Sequence, residues 1–407
     1  MFQYISGGLN NYEMVFRRFS LTLFVLVSVM CLAYGQSGRN QHNFAQTYFG
    51  VQTDFMPGLG EFNPLGAFRF NIGGLHFWKH ADFYVSFPLT TLGPANPEYS
   101  EGVLTGARYL PLALGEKAVS PFVGTYWCTP SLKLNNGAEL QKNNVGMEAG
   151  IYLSLGRSLT GELQGRYNFG QSVDYPLPES QSLNLTMPEW TISFSLKKYI
   201  DTTVGLSSEA GKKWIEKREQ ELTEEKKLSV FSAGIGLSAN IQLSPFNFLD
   251  PELGLPKQAP NALFPDIGIG YYFYQPDMGI RLSYRPMNLS NAGYGSDYSF
   301  QQHRLLIEGF KFLFDYNGFA PFLGLGVGAD YGNLSLSTGG EMAISESEWL
   351  NSYAIVFGWD IRPSRVDTWY LRTNLRYIYQ NSAAEIKIGE QHLEVNFIQF
   401  VIYPGRI

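Results

Sequence analysis

The twelve residues from Ser158 to Phe169 alternate strictly between two kinds of side chain. The odd positions are apolar or small, whereas the even positions are polar or charged; the odd set is Leu159, Gly161, Leu163, Gly165, Tyr167 and Phe169. Since successive side chains of a strand point to opposite faces, this pattern predicts a β-strand with one apolar and one polar face. It is longer than a common globular strand of about six residues, and about ten residues let a tilted strand cross a bilayer.

The start of the chain has the three parts of a secretory signal peptide. Arginines precede an apolar run from Phe19 to Leu32, and the small residues Ala33 and Gly35 follow it. This order predicts that residues 1–35 are removed on export. Cys128 is then the lone cysteine of the mature chain, so the fold must hold without an internal disulfide.

Composition narrows the class of protein further. Aromatic residues make up 15% of the chain and charged residues only 16%, below the about 25% of soluble domains. After the signal, no stretch has about eighteen consecutive apolar residues, so helical membrane spans are not expected. The net charge of −6 argues against nucleic acid as a partner.

Three segments of the first half return in the same order in the second half, which indicates a duplication. The pairs are Gly106 to Leu110 with Gly309 to Leu313, Pro121 to Gly124 with Pro321 to Gly324, and Leu163 to Phe169 with Thr373 to Tyr379. The alternative is that strands crossing the same bilayer resemble one another for that reason alone.

Strand-like segments number eight in each half, which predicts an all-β transmembrane antiparallel up-and-down β-barrel in two tandem repeats, residues 36–200 and 229–407. In the first repeat the strands are expected near 45–55, 65–73, 81–90, 101–112, 119–133, 144–156, 158–170 and 187–199. In the second repeat they are expected near 229–243, 264–274, 278–287, 299–315, 319–332, 351–362, 367–380 and 393–403.

Connections alternate between long and short in the second half. The links at Gln275 to Asp277 and Tyr316 to Gly318 are tight, whereas 244–263 and 332–350 are long. Long outer loops and short periplasmic turns are typical of outer-membrane barrels. In the first half, the link from Gly73 to His80 is too long to follow this rule.

A charged segment, residues 201–228, separates the two repeats. From Glu209 to Lys227 it holds twelve charged residues in nineteen, with good helix formers and no proline. We predict a solvated periplasmic helix, because a charge-dense helix cannot lie in hydrocarbon and eight strands return the chain to its starting side. A plain spacer is favoured over a helix that binds a partner.

Charged residues within the strands are the main chemical content of the chain. Arginine facing lipid at the midplane costs about 2–4 kcal/mol, so these groups are expected to point into the barrels. An eight-stranded barrel has room only for side chains, which favours an ion-paired plug over a polar channel. The predicted lumen ion pairs use Arg108, Glu148, Glu162, Arg166, Arg304, Glu308, Arg372 and Arg376, and Asp330 and Asp360 are further strand charges of the second half.

Two closures of the sheet are compatible with this pattern. Either each half closes as its own eight-stranded barrel, or sixteen strands close as one wide barrel with a water-filled channel. The long polar linker and the charges of both signs in each half favour two barrels. One wide barrel is the alternative.

The signal peptide, Gly106 to Tyr109, Pro121 to Gly124 and Pro321 to Gly328 together resemble the small, porin-like outer-membrane β-barrel family of Gram-negative bacteria, in the form common in Bacteroidetes. This resemblance implies location in the outer membrane after signal removal, contact with the lipid bilayer and insertion by the outer-membrane assembly machinery. It provides no shared catalytic residues. Family members often end on an aromatic strand residue, whereas here Pro404 to Ile407 follow Tyr403.

Catalytic and metal-binding patterns are weak. Asp297 and Ser299 precede His303 near an outer strand end, but proximity along a strand does not make a triad. His76 and His80 have the spacing of helical metal ligands, yet they lie in a connection and are expected in an interfacial belt. We therefore predict that the chain is not an enzyme and uses no metal and no cofactor.

Three functions are compatible with the sequence. The leading one is a structural, anchoring or loop-mediated binding role, with Phe246 to Pro260 and Gly339 to Trp349 as contact segments for an unknown ligand. The second is a passive diffusion porin made of one sixteen-stranded barrel. The third is a lipid hydrolase at the barrel rim, centred on His303.

Overall fold

A computed structural model describes residues 44–407, except 57–64, 93–97, 136, 157, 171, 202–208, 244–254, 256–262 and 382–390. The predicted signal peptide lies outside the described residues. Two closed antiparallel barrels, two small sheets and one α-helix make up the described part of the chain. No α-helix among these residues is both long and apolar enough to cross a membrane.

The first barrel contains eight strands in the order β1-β13-β10-β9-β6-β5-β3-β2. Its strands are β1 Gln46–Met56, β2 Leu65–His76, β3 Ala81–Leu92, β5 Leu104–Tyr109, β6 Val119–Cys128, β9 Asn144–Ser154, β10 Leu159–Asn168 and β13 Trp190–Asp201. Short strands in its outer connections form the two small sheets. They are β4 Glu98–Ser100, β7 Ser131–Lys133, β8 Glu139–Gln141, β11 Ser172–Pro176 and β12 Ser182–Thr186.

The second barrel also contains eight strands, and each pairs with the next one along the chain. They are β14 Val230–Gln242, β15 Leu263–Phe273, β16 Met278–Gly293, β17 Ser296–Phe312, β18 Phe319–Thr338, β19 Glu341–Ile361, β20 Trp369–Asn381 and β21 Gln391–Ile402. β1 pairs with β13 and β14 pairs with β21, so each half closes on itself. The prediction of two eight-stranded barrels is confirmed, and the sixteen-stranded alternative is wrong.

Both barrels carry polar side chains inside and apolar side chains outside. In β10, Glu162, Gln164 and Arg166 are buried, whereas Leu163 is 47% exposed. The same exposed apolar band runs around both barrels through Val123, Val145, Met147, Ile192, Phe194, Ile267, Ile269, Leu305, Ile307, Leu325, Val327 and Ile355. A surface of this kind is stable against lipid and unstable in water, so the fold is that of a transmembrane barrel.

Most connections at the end of each barrel at which the chain enters are short turns, whereas the link between β5 and β6 is longer and spans residues 110–118. β2 continues to His76, and residues 77–80 then form a tight turn, so the predicted exception to the long-short rule is wrong. In the second barrel, Asn317 and Gly318 have φ angles of 51° and 88°. Positive φ at both central residues is what a type I′ hairpin turn requires, and glycine adopts it without strain.

The strands of the second barrel extend well beyond their predicted outer ends. Two segments expected as loops form tall hairpins: β16 and β17 join through Tyr294 and Gly295, and β18 and β19 join through Gly339 and Gly340. The predicted contact segment Gly339 to Trp349 therefore lies mostly in strand β19, and its description as a loop is wrong. The other contact segment, Phe246 to Pro260, lies outside the described residues except for Leu255.

The segment between the barrels forms helix α1, Glu209–Glu224. Its Leu222 is fully buried and packs in a cluster with Val230, Tyr272 and Tyr274 of the second barrel. Arg218 also donates a hydrogen bond of 2.7 Å to the carbonyl of Arg406. The helix is thus packed against the second barrel along one face, while most of its other residues are exposed to solvent.

The two barrels pack side by side through aromatic residues on their outer faces. Ring centroids lie 5.8 Å apart for Phe83 and Trp359 and 6.2 Å apart for Phe87 and Phe397. Near the turns, Phe44 lies 5.7 Å from Tyr316. These contacts join β3 of the first barrel to β19 and β21 of the second.

Candidate functional site

The interior of the first barrel is built around the guanidinium of Arg108. It contacts Glu148 at 3.0 Å and Glu162 at 3.1 Å, and it lies 3.3 Å from Asp82. Lys197 adds a contact of 2.5 Å to Glu162. These carboxylates come from β3, β9 and β10 while Arg108 comes from β5, so the network spans the lumen.

A second charged layer lies above Arg108, toward the outer end. Arg166 contacts Asp54 at 2.9 Å and Glu101 at 2.6 Å. Arg69 lies 3.7 Å from Asp54. Glu101 comes from the outer connection between β4 and β5 and is almost fully buried, so this connection inserts a carboxylate into the barrel mouth.

The second barrel holds a comparable network around Asp266 and Glu308. Arg376 contacts Glu308 at 2.5 Å and Asp266 at 3.2 Å. Arg285 lies 3.3 Å from Glu308 and 2.8 Å from Glu394. Since these groups are buried, their mutual attraction mainly offsets the cost of removing them from water.

The structure brings together some of the charged residues named from the sequence and separates others. Arg108 meets Glu148 and Glu162, and Arg376 meets Glu308. Arg166 meets neither of those carboxylates and pairs instead with the outer layer. The remaining two arginines find aspartates on adjacent strands, in the pairs Arg304–Asp330 at 2.9 Å and Arg372–Asp360 at 2.7 Å.

Sequence reasoning missed several members of these networks. They are Asp54, Arg69, Asp82, Glu101, Lys197, Asp266, Arg281, Arg285 and Glu394. Most of them sit at alternate positions of predicted strands, so extending the inward set along every strand would have found them. Glu101 has no such signal, because in the strand expected at 101–112 it has the parity opposite to that of the inward Arg108, whereas the structure places it in an irregular connection after β4.

The outer end of the first barrel is covered by its own connections. β4, β7 and β8 form one small sheet, and β11 pairs with β12. Together they enclose an apolar cluster of Met56, Ala67, Tyr99, Leu132, Val173, Tyr175, Leu185 and Met187. We call these five strands the outer lid. Burial in the lid raises the pKa of Tyr175 to about 12.

The turn end of the second barrel is filled by aromatic rings and closed by α1. Inward rings form a layer with Leu222 of the helix: Tyr272, Tyr274, Phe310, Phe312, Phe322, Tyr370 and Tyr403. The Tyr274 hydroxyl donates to Glu219 at 2.6 Å, and burial followed by this bond raises the pKa of Tyr274.

The residues after the last strand lock this closure in place. Arg406 donates to the carbonyls of Lys227 and Leu228 after the helix, and to those of Arg365 and Asp367 in the turn between β19 and β20. Its guanidinium also lies 4.5 Å from the ring of Tyr403. The extension beyond the last strand therefore ties the helix to the barrel.

The outer lid of the first barrel reaches across to the second barrel. Asn291 of β16 accepts a hydrogen bond from the Glu139 amide at 3.1 Å and donates to the Glu139 carbonyl at 2.6 Å. Ala138 is fully buried in a cluster that includes Leu289, Tyr298 and Phe300 at the outer mouth of the second barrel. One barrel thus covers the opening of the other.

A cleft of about 480 Å³ lies where the lid meets the second barrel. It is open to solvent, and its lining includes the acidic residues Glu98 and Asp297 and the basic residue Lys133. The lining residues are Glu98, Lys133, Leu134, Asn135, Gly137 and Ala292 to Asp297. A volume of this size is typical of small-ligand sites, which measure about 300–1,000 Å³.

The residues considered for a rim hydrolase do not form a triad. The ring of His303 stacks on Tyr284 and its Nδ1 lies 2.7 Å from the Tyr284 hydroxyl. Asp297 accepts a hydrogen bond of 2.5 Å from Ser337. His76 lies between the barrels, whereas His80 lies 2.8 Å from the carbonyl of Leu110, so the two are not joined at one site.

Solved structures similar to this chain are outer-membrane proteins. Neisserial surface protein A is 12% identical, with 43% of this chain and 97% of that one covered and a TM-score of 0.31. Ail of Yersinia pestis is 16% identical, with 43% and 96% covered and a TM-score of 0.28. No family model matches the chain, and no curated protein matches it. Because these TM-scores are low, the fold assignment rests on the strand topology and polarity.

A third similar structure bears on the prediction that the chain is not an enzyme. OmpT of Vibrio cholerae, an outer membrane protein, is also similar, at 9% identity and a TM-score of 0.19, with 90% of this chain and 98% of that one covered. Neither these likenesses nor any described residue positively shows that catalysis is absent. A barrel fold hosts many functions, and the sequence alone does not exclude catalysis. The prediction that the chain is not an enzyme is therefore wrong.

Proposed function

We propose that this chain is an outer-membrane protein whose two barrels serve as closed anchors, and whose role is carried by the outer lid and the adjoining cleft. The inside-out polarity of both barrels supports the membrane location, and the predicted signal peptide supports export. Insertion by the outer-membrane assembly machinery follows from that location. The Bacteroidetes type and the duplication stay predictions.

The observation that carries the closed-anchor proposal is the network of Arg108. Its contacts with Asp82, Glu148 and Glu162 cross the first barrel from wall to wall. Opening a path for water would require these buried pairs to separate, which leaves unpaired charges behind. In the second barrel, the network around Asp266 and the aromatic layer under it support the same conclusion.

The cleft supports a binding role at the outer surface. Lys133 lies opposite Glu98 in the pairing of β4 with β7, and Asp297 lies on the second barrel. Charges of both signs suit a small polar ligand that can both donate and accept hydrogen bonds. The ligand contacts in this proposal come from both barrels, so the site depends on the side-by-side packing of the barrels.

Single-channel recording of the refolded mature chain in planar bilayers tests the closed anchors. We expect no steady conductance, with insertion confirmed by heat-modifiable migration in electrophoresis. Large, near-ohmic steps would show that water and ions pass through at least one barrel and would contradict the proposal.

Binding at the cleft is tested on printed arrays of oligosaccharides and short peptides with wild-type protein and a K133A/D297A variant. We expect at least one class of probe to bind the wild type and to lose most of its signal in the variant. The matched control is Lys142→Ala, since Lys142 directly follows β8 of the lid and is not among the residues that line the cleft. Equal signals for all three proteins would remove the cleft from the proposal.

A further inference from the structure

An apolar cavity of about 190 Å³ lies between the two barrels at membrane depth. On the first barrel its wall includes Val85, which lies between the lumen residues Tyr84 and Ser86. On the second barrel its wall includes Thr373, the neighbour of the lumen residue Arg372. Since these inward neighbours belong to the charged layers, the cavity lies level with the middle of the strands.

The polar atoms of the cavity wall are already satisfied in this central part. Thr105 donates its hydroxyl to the carbonyl of Tyr84 at 2.8 Å, and Thr373 donates its hydroxyl to the carbonyl of Phe397 at 2.9 Å. These threonines therefore present carbon atoms, rather than free hydroxyl groups, to the cavity. Ile72 and Val395 complete an apolar lining. A dry void leaves its lining without dispersion partners on one side, so an apolar occupant of matching shape is stabilising.

One end of the cavity has a different character. His76, the last residue of β2, lines the same space and is only 7% exposed. Its Nδ1 has no hydrogen-bonding partner among the described residues. Its ring lies 5.3 Å from that of Phe83, which holds it against the barrel wall. A buried nitrogen left unpaired is costly, so an occupant with an acceptor at this end satisfies it.

The level of His76 shows which side of the membrane the acceptor comes from. The turn that follows it carries the exposed aromatic residues Phe77 and Trp78. Aromatic residues of this kind mark the level of the lipid headgroups in membrane barrels. The turn end is the periplasmic end, so an amphipathic molecule in the cavity would place its polar part near the periplasmic leaflet.

We propose that this cavity binds one glycerophospholipid of the periplasmic leaflet. An acyl chain fills the space between Val85 and Thr373, and an ester or phosphate oxygen accepts a hydrogen bond from Nδ1 of neutral His76. The lipid then acts as a wedge that joins the two barrels at the depth where protein contacts between them are incomplete. The proposal does not depend on the outer cleft or on its ligand.

Native mass spectrometry of the full mature chain, refolded in detergent and titrated with phosphatidylethanolamine, tests this proposal. We expect the wild type to retain one phospholipid after the detergent is stripped. Thr105→Phe fills the apolar part and should weaken retention at least about tenfold, because several methylenes lose their site. His76→Phe removes the donor and should weaken retention about threefold to tenfold.

Two matched variants control for the added rings. Val123→Phe adds the same ring on the exposed face of β6, and His303→Phe removes an outward histidine of the second barrel. Both should retain lipid as the wild type does. Heat-modifiable migration establishes that each variant is folded before its lipid is counted.

Three results would overturn the proposal. They are a wild type that retains no phospholipid, a T105F variant that retains as much as V123F, and an H76F variant that binds as the wild type does. The last result would leave an apolar cavity but remove the polar contact, and with it the assignment to a glycerophospholipid.

Discussion

The first barrel closes its outer end with its own connections, whereas the second barrel takes its covers from other parts of the chain. The apolar cluster above the first barrel consists of residues of that barrel and of its own connections. The second barrel is closed at the turn end by α1 and Arg406 and at the outer end by Ala138 of the lid. The two barrels have the same number of strands, but only the second needs segments from outside its own strands and connections to cover its ends.

Filling the lumen and covering its ends are therefore separate problems for a small barrel. Both lumens are filled in the same way, by buried arginines paired with carboxylates from neighbouring and opposite strands. Covering depends on the connections between strands. In the second barrel, β16 with β17 and β18 with β19 extend as tall hairpins where outer loops were expected. Its mouth is then closed by a segment that arrives from the first barrel.

The largest expected effect is on the filling. Arg108→Ala leaves Glu148, Glu162 and Asp82 without their buried partner, and should lower the free energy of unfolding by about 3–5 kcal/mol. Arg376→Ala should cost a similar amount in the second barrel. Urea unfolding in lipid vesicles, followed by tryptophan fluorescence, measures both. A lower free energy of unfolding for only one of the two variants would show that the two lumens are not equivalent.

The next effect separates the two modes of covering. Leu222→Ala removes the buried contact of α1 and should cost about 2–3 kcal/mol, at the lower end for a buried leucine because the helix can shift. Trp214→Ala on the exposed face of α1 is the control and should change little. Limited proteolysis of the helix in the folded protein reports the loosening. Equal cleavage of the two variants would mean that the helix does not close the barrel.

A smaller effect is expected at the bridge between the barrels. A Cβ added at Gly293 would lie 2.6 Å from the backbone nitrogen of Ala138, so Gly293→Ala should push the lid away at a cost of about 1–2 kcal/mol. Gly309→Ala is the matched control, since an added Cβ there meets no atom within 4 Å. Tryptic cleavage after Lys133 and Lys142 measures the opening. Unchanged cleavage in G293A would show that the second barrel does not rely on the lid.

The smallest effect is expected on the solvent side of α1. Lys217 and Glu221 lie 3.9 Å apart with side chains 77% and 43% exposed, so Lys217→Ala should cost about 0.3 kcal/mol. Arg218→Ala should cost more, because it loses the bond to the Arg406 carbonyl. Urea unfolding of the two variants compares them. A greater loss in K217A would mean that surface charge, rather than the packed face, holds the helix.

Much of the barrel wall could be predicted from the sequence because the physics that shapes it is local. In Leu159 to Asn168, every second residue is polar, and the structure places Glu162, Gln164 and Arg166 inside. A strand in a bilayer must expose apolar side chains and can hide polar ones only in the lumen, so alternation alone fixes which face is which.

The outer strand extensions escaped prediction because their polarity changes with depth. Asn288 and Ser290 face outward above the membrane, so the segment has the composition of a loop although β16 continues to Gly293. The inward residues Met287 and Leu289 keep the alternation, but they are apolar where the lumen residues below them are charged. At the membrane surface the outward face changes from apolar to polar and the inward face from charged to apolar. The sequence pattern therefore does not reveal that the strand continues.

The residue pattern was enough to predict the barrel strands within the membrane, their inward and outward faces and a helix between two halves. The pairing of β1 with β13 and of β14 with β21 followed from the folded chain alone, because alternation is the same for one barrel or two. The tertiary structure also decided that Arg166 pairs with Asp54 and Glu101 rather than Glu162. Partners across a lumen come from strands far apart in the chain, and their distances depend on how the sheet closes.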